Sequence, residues 1–274
     1  MNGTGIIEVF QVGKRYGDKQ VLDSISFGVR TGEMLGIIGP NGSGKSTLLR
    51  ILTGVEPADT GKVLVRGCDV RSYSRKKLAR IMAVLEQDAL PPVGFGVRDI
   101  VEMGRYPHQN WLGKESGDPE DLLNRIMERL DLVRLKNRRA DELSGGERQR
   151  VALGKAMAQQ PEVLLLDEPT TFLDIGYQLQ MLDYIRTWQR ESRLTVIAVL
   201  HDLNLAALYC DRLLVLKDGR LVAEGGPWDI MREDLIEQVY GPRPLVVRHP
   251  QTGLPQLLLH PQEQPVAWST GQTG

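Results

Sequence analysis

Short, almost wholly apolar segments alternate along this chain with longer stretches in which apolar residues recur every third or fourth position. The first pattern predicts strands buried on both faces, and the second predicts helices packed by one side. Their alternation predicts a mainly parallel sheet. Buried strands are expected at Met34–Ile38, Val63–Val65, Val163–Leu166, Thr195–Leu200 and Arg212–Leu216. Residues Ile7 to Arg30 read differently. Polar and apolar residues alternate on either side of Tyr16-Gly17-Asp18, which predicts antiparallel strands joined by a turn.

Two helices are legible from their starts. Asp118 is a suitable N-cap with Pro119 at the first helical position, and Leu122, Leu123, Ile126 and Leu130 form one stripe. After Asp174, residues Ile175, Leu179, Leu182, Ile185 and Trp188 recur at helical steps. Residues 88–118 hold prolines, glycines and Trp111 with little apolar periodicity, so a long functional loop is expected there. From about Gln262 the chain is polar and is expected to fray. No internal repeat is visible.

Composition narrows the class. The 274 residues are 41% hydrophobic and 25% charged, ordinary for a globular chain of one large domain or a core with a subdomain. Lys and Arg total 34 against 35 Asp and Glu, which argues against a broad electrostatic grip on nucleic acid or anionic lipid. No apolar run reaches the ~18–20 residues of a membrane span, and Met1 to Phe10 lacks the layout of a signal peptide. Two cysteines, Cys68 and Cys210, make neither a four-thiolate metal site nor a disulfide framework. A soluble, cytoplasmic α/β protein is the expectation.

Three motifs carry chemistry. Gly39, Pro40, Asn41, Gly42, Ser43, Gly44, Lys45, Ser46 and Thr47 complete a G-x-x-x-x-G-K-[ST] match. It follows the strand Met34–Ile38 and opens a helical run, Thr47 to Leu52, that Gly54 ends. The glycines let consecutive N–H groups face phosphate oxygens, and the helix N-terminus adds partial positive charge. Lys45 supplies a compact cation for the β- and γ-phosphates, and the Ser46 hydroxyl can ligate Mg²⁺. Second, the apolar strand from Val163 ends in Asp167, Glu168 and Pro169. Asp167 is thereby placed at the carboxyl edge of the sheet, where nucleotide-bound Mg²⁺ would sit, and Glu168 is placed to polarise an attacking water. Third, Leu143, Ser144, Gly145, Gly146, Glu147, Arg148 and Gln149 precede a helical run, Arg150 to Gln159. Ser144 is a plausible N-cap, and the glycines allow backbone N–H groups to approach an anion. This makes two phosphate sites with one lysine between them, so the second is expected to serve the nucleotide of another copy.

With these motifs in this order, residues 6–240 resemble the nucleotide-binding subunit of an ATP-binding-cassette (ABC) transporter. The resemblance implies an α/β P-loop NTPase with a RecA-like core, an antiparallel β subdomain and an inserted helical subdomain. It implies one ABC domain over about 1–261, with core about 1–87 and 160–247, helical subdomain about 88–159, and a flexible tail over 262–274. It implies ATP and Mg²⁺ as cofactors, with Ser46, Gln87 and Asp167 toward the metal and Glu168, His201 and Gln87 catalytic. In this family an aromatic residue stacks on adenine, and Tyr16 matches. A glutamine senses the γ-phosphate and faces the membrane partner, and Gln87 matches. A histidine after a strand touches the γ-phosphate, and His201 in Leu200-His201-Asp202-Leu203 matches. Leu173-Asp174 matches the pair that lies across the dimer interface. Thr171-Phe172 departs from the small residues that many members carry there.

The implied partners are a second copy in a head-to-tail dimer, transmembrane permease subunits and, indirectly, an extracytoplasmic substrate-binding protein, with no nucleic acid. The implied location is peripheral, at the cytoplasmic face of the cell membrane. Gly104-Arg105-Tyr106-Pro107-His108, with Val239-Tyr240-Gly241 and Gly253-Leu254-Pro255, is similar to iron-chelate and cobalamin importer ATPases, so uptake of ferric siderophore, haem or cobalamin is expected. A zinc or manganese importer ATPase, an exporter ATPase and a soluble non-transport ABC ATPase remain alternatives. Cys210 is expected as a small buried hydrophobe, and Arg75-Lys76-Lys77 and Arg138-Arg139 as solvated faces.

Overall fold

The computed structural model describes residues 5–87, 90, 94–110, 114–115, 117–171 and 173–260. Three sheets organise them. The first is four-stranded and antiparallel, in the order β2-β1-β4-β5, from β1 (Ile7–Tyr16), β2 (Lys19–Val29), β4 (Thr60–Val65) and β5 (Cys68–Asp69). Its expected hairpin turns at Gly17-Asp18, with Tyr16 paired to Lys19.

The second sheet is six-stranded, in the order β10-β9-β3-β8-β7-β6. It comprises β3 (Met34–Ile38), β6 (Met82–Leu85), β7 (Val163–Asp167), β8 (Thr195–Val199), β9 (Arg212–Lys217) and β10 (Arg220–Gly225). Every neighbouring pair is parallel except β9–β10. The continuous apolar runs are explained by burial on both faces: all five residues of β3 and of β8 are buried. Alternate residues feed two separate cores. Met34 and Ile38 of β3 face one with Val196 and Ala198 of β8. Leu35 and Ile37 face the other with Ile197 and Val199.

Helices fill both faces. Helix α1 (Lys45–Leu52) lies between the two sheets, its Leu48, Leu49, Ile51 and Leu52 in the second core. A short α2 (Arg75–Ala79) follows β5. Helices α3 (Val97–Met103), α4 (Glu120–Arg129) and α5 (Gly145–Ala158) come between β6 and β7 in the chain and supply the first core. Helices α6 (Ile175–Ser192), α7 (Leu203–Tyr209), α8 (Pro227–Ile230) and α9 (Glu233–Tyr240) complete the set. A hairpin of β11 (Leu245–Arg248) and β12 (Pro255–Leu258) ends the described chain. No described helix is long and apolar enough to cross a membrane.

Four expectations need correction. The stretch 88–118 is not simply loop, because Val97, Ile100 and Val101 bury one face of α3. That periodicity spans only two turns, too short to stand out among the prolines and glycines. Helix α4 starts one residue later than expected: Pro119 is its N-cap, and the Asp118 carboxylate accepts from Glu120 N at 3.0 Å. Ile175 and Leu179 of α6 are exposed although they sit on the apolar stripe. Lys76 is not a solvated charge, since its ammonium donates to Gln109 O and lies over the Tyr106 ring. Asp88, Trp111, Phe172 and the tail from Gln262 lie outside the described residues.

Candidate nucleotide site

Register builds this site. Ile37 of β3 pairs with Val199 of β8, and Val199 pairs on its other side with Asp167 of β7. These three neighbouring parallel strands therefore end in one row. Beyond that row come Gly39, His201 and Glu168, so three loops emerge together at the carboxyl edge, where α/β sheets hold ligands.

The first loop is shaped by its glycines. Gly39 has φ 153°, and a Cβ there would lie 2.0 Å from Leu216 O. Gly44, at φ 100°, caps α1, and a Cβ would meet Leu22 and Val21 O. The ammonium of Lys45 is buried under the loop and donates to Gly39 O and Pro40 O, each at 2.9 Å. Burial pulls its pKa below the usual lysine value, against the charges of Glu168 and Asp167. Among the described residues the Ser43 hydroxyl is buried with no hydrogen-bond partner, an unmet polar group that a phosphate oxygen could satisfy.

Ser46 Oγ donates to Asp167 Oδ1 at 3.3 Å. Burial, then the neighbouring Glu168 charge, raises the Asp167 pKa above the ordinary carboxylate value. Two oxygen ligands beside a second carboxylate, that of Glu168, fit Mg²⁺, a hard cation bound by few protein ligands and completed by phosphate oxygens. Among the described residues no cluster of three His, Cys, Asp or Glu could hold a metal without such help.

Glu168 has φ 53°, unusual for a residue with a side chain. It is held there by Glu168 N to Val199 O at 3.2 Å and Thr171 N to Glu168 O at 3.2 Å. Its carboxylate lies 2.5 Å from His201 Nε2 and accepts from the Thr171 hydroxyl at 3.3 Å. Strained backbone at such a point is the kind that functional sites retain.

Tyr16 ends β1 with its side chain 46% exposed, open to a stacking partner. Its hydroxyl donates to Glu56 Oε1 at 2.5 Å and also meets the Thr47 side chain. Lys14 Nζ pairs with Glu56 at 3.2 Å and lies 5.5 Å from the ring centre. The motifs gave no hint of Glu56, because the bond joins residues far apart in sequence. Lys14 stands in the same Lys14-Arg15-Tyr16 string and could have been noticed.

Gln87 follows β6, whose Leu85 pairs with Leu166 of β7, so it lies one strand beyond Asp167. Its carbonyl accepts from Gln149 Nε2 at 3.1 Å, which links it to α5. Among the described residues, none of the hydrogen bonds around Lys45, Ser46, Asp167, Glu168 and His201 involves Gln87.

Ser144 caps α5 as expected. Its hydroxyl accepts from Glu147 N at 3.3 Å, and Ser144 N donates to Glu147 Oε2 at 2.8 Å, a reciprocal capping box. The helix begins at Gly145, earlier than Arg150, so the glycines lie in its first turn. The two differ in role. A Cβ on Gly145 would meet nothing within 4 Å, whereas one on Gly146 would lie 2.8 Å from the Tyr177 ring. Gly145 leaves room for an anion, and Gly146 makes room for Tyr177, a contact the motif did not announce. A groove of about 790 Å³ between α4, α5 and α6, lined by Leu122, Arg125, Ile126, Met157 and Trp188, shares no residue with this site.

Comparison with known proteins agrees with this geometry. The family model described as ABC transporter matches residues 22–171. An uncharacterized ABC transporter ATP-binding protein of Bacillus subtilis is 42% identical over 92% of this chain, which spans only 57% of that relative's length. A ferric enterobactin transport ATP-binding protein of Escherichia coli is 38% identical, over 88% of this chain and 89% of its own. A hemin import ATP-binding protein of Thermobifida fusca is 39% identical, over 94% and 89%. Among solved structures, a dimeric ABC cassette in a post-hydrolysis state with ADP and phosphate superposes with a TM-score of 0.70 at 26% identity, covering 80% of this chain and 98% of its own. Motifs, strand register and relatives converge, and the chain belongs to the ABC transporter family as an ATP-binding cassette.

Proposed function

We propose that this chain binds ATP with Mg²⁺ and hydrolyses it to ADP and phosphate, powering import of a ferric siderophore, haem or cobalamin. The observation that carries the ATPase reading is the gathering of Lys45, Ser46, Asp167, Glu168 and His201 at one sheet edge. The cargo reading rests on relatives named for ferric enterobactin and hemin.

The loop from Gly39 to Thr47 wraps the phosphates with backbone N–H groups, and Lys45 turns from the loop carbonyls to the β- and γ-phosphates. Ser46 and Asp167, with Gln87 from the next strand, would hold Mg²⁺. When bound, Mg²⁺ neutralises charge on the phosphate oxygens. Glu168 takes a proton from the attacking water as its oxygen bonds to the γ-phosphorus and the bridge to the β-phosphate breaks. His201 keeps the Glu168 carboxylate aimed and contacts the γ-phosphate. Tyr16 stacks on adenine. Ser144, Gly145 and Gly146 serve the nucleotide of a second copy facing head to tail, for which the open side of Gly145 leaves space. The core is then about 1–87 and 160–247, the helical subdomain about 88–159. The chain attaches to the cytoplasmic face of the membrane through permease subunits, fed by an extracytoplasmic binding protein.

The test is phosphate release from Mg²⁺-ATP by the purified chain, then transport by the chain assembled with its permease. Lys45→Ala removes the loop's only cation, so ATP should bind about 10- to 100-fold more weakly, as for loss of charged hydrogen bonds worth about 1.5–3 kcal/mol. Turnover should vanish. Wild-type hydrolysis by that variant ends the reading.

A further inference from the structure

The last hairpin lies beyond the stretch that the family model matches, and it touches the chain just behind His201. Asp202 caps α7, accepting from Asn204 N at 2.8 Å and Leu205 N at 2.9 Å. Asn204, in that first turn, then reaches the free edge of β12. Its Nδ2 donates to Leu257 O at 3.2 Å, and its Oδ1 accepts from Leu257 N at 2.7 Å. One side-chain amide thus satisfies both backbone groups of an edge residue, as a neighbouring strand would. Gln256 Nε2 adds a bond to Asn204 O at 3.4 Å.

The hairpin is itself anchored. Leu257 is 7% exposed within the first core. Trp228 Nε1 donates to Gly253 O at 3.1 Å, and Arg248 lies over the Trp228 ring. Val246 of β11 pairs with Leu257, so the strand that grips Asn204 is backed by a second. On the other side of Asn204, three residues back, His201 stands 41% exposed with Glu168 as its side-chain partner. Its position is otherwise set by the backbone between β8 and α7.

We infer that Asn204 and the β11–β12 hairpin are a positioning device for His201, fixing the first turn of α7 and hence where the imidazole meets Glu168. This rests on the proposed ATPase reading. An aiming fault of about 1 Å costs up to about a hundredfold in rate, and it acts on the chemical step rather than on nucleotide binding.

The experiment uses the full chain. Asn204→Ala removes both side-chain bonds to Leu257, and Asn204→Asp keeps only the acceptor. Steady-state hydrolysis of Mg²⁺-ATP should show kcat lower by about 10- to 100-fold for Asn204→Ala and by less for Asn204→Asp, with KM within about twofold. The imidazole NMR signals of His201 should shift or broaden in the same order. Unchanged kcat and unchanged His201 signals in a folded Asn204→Ala protein overturn the inference. So does a loss confined to KM. A wild-type chain with no hydrolysis refutes the ATPase reading instead, and the His201 signals still decide whether the hairpin sets the imidazole.

Discussion

His201 Nε2 lies 2.5 Å from Glu168 Oε1, so two side chains from the ends of neighbouring strands form one unit. The pair follows from topology. Glu168 comes one residue after the row that joins β7 to β8, and Glu168 N is tied to Val199 O, two residues before His201.

Glu168→Gln keeps the size and the hydrogen bonding of this unit but removes the basic carboxylate. Hydrolysis should fall by about 10²- to 10⁴-fold, with ATP still bound by Lys45, Ser46 and the loop backbone. Light scattering with Mg²⁺-ATP should then show a dimer that ADP does not support. Wild-type turnover by Glu168→Gln would remove Glu168 from the chemistry.

Asp167 sets a pH dependence. Burial, then Glu168, raises its pKa in the folded chain. The native state therefore holds that proton more tightly than the unfolded state does. Ionising Asp167 costs stability as pH rises through the raised value, and the cost is absent below the ordinary carboxylate value near 4. Asp167→Asn should melt above the native chain at about pH 8. That gain should vanish near pH 4. Equal melting at both pH values would show that the site does not store this charge.

Tyr16 predicts weak base selectivity. A ring that stacks on a base contributes about 1–3 kcal/mol without reading its edge. Tyr16→Ala should weaken ATP and GTP binding alike, by about 5- to 100-fold, measured by titration. Glu56→Ala should give a smaller loss with kcat little changed, because the carboxylate only holds the Tyr16 hydroxyl. Discrimination of ~10⁴ against GTP would require polar readout elsewhere.

The surface near the Gly104–His108 string predicts coupling. Val101, within the stretch 88–118 expected to form a functional loop, is fully buried and cannot touch a partner. Phe95, Met103 and Tyr106 are exposed nearby, at 53%, 41% and 69%. Tyr106→Asp should lower transport by the assembled importer about tenfold or more, because a charge buried in an apolar contact is costly. Basal hydrolysis by the isolated chain should stay within about twofold. Normal transport would move the coupling surface elsewhere.

The Gly104–His108 string also separates what a motif announces from what it does. In sequence it marks a resemblance. In the fold it ties down the end of α5. A Cβ on Gly104 would lie 2.1 Å from Lys155 O, the Arg105 guanidinium donates to Ala158 O at 2.5 Å, and His108 Nε2 meets Gln159 O at 2.9 Å. The Arg105 guanidinium on a last carbonyl of the helix satisfies a group the helix cannot. Each of these bonds spans about fifty residues, and no local pattern reports a partner that distant.

By itself the sequence determined the strands β3, β7, β8 and β9, the glycine-shaped loop before α1, the acidic pair and the cap at Ser144. Each depends on neighbours within a few residues: a run buried on both faces, a glycine at positive φ, a hydroxyl above a helix start. Tertiary structure alone decided which strand ends share a row, that Tyr16 leans on Glu56, that Gly146 yields to Tyr177 and that Asn204 holds the last hairpin. Those depend on register and on packing between distant segments, and chain folding, not residue spacing, fixes both.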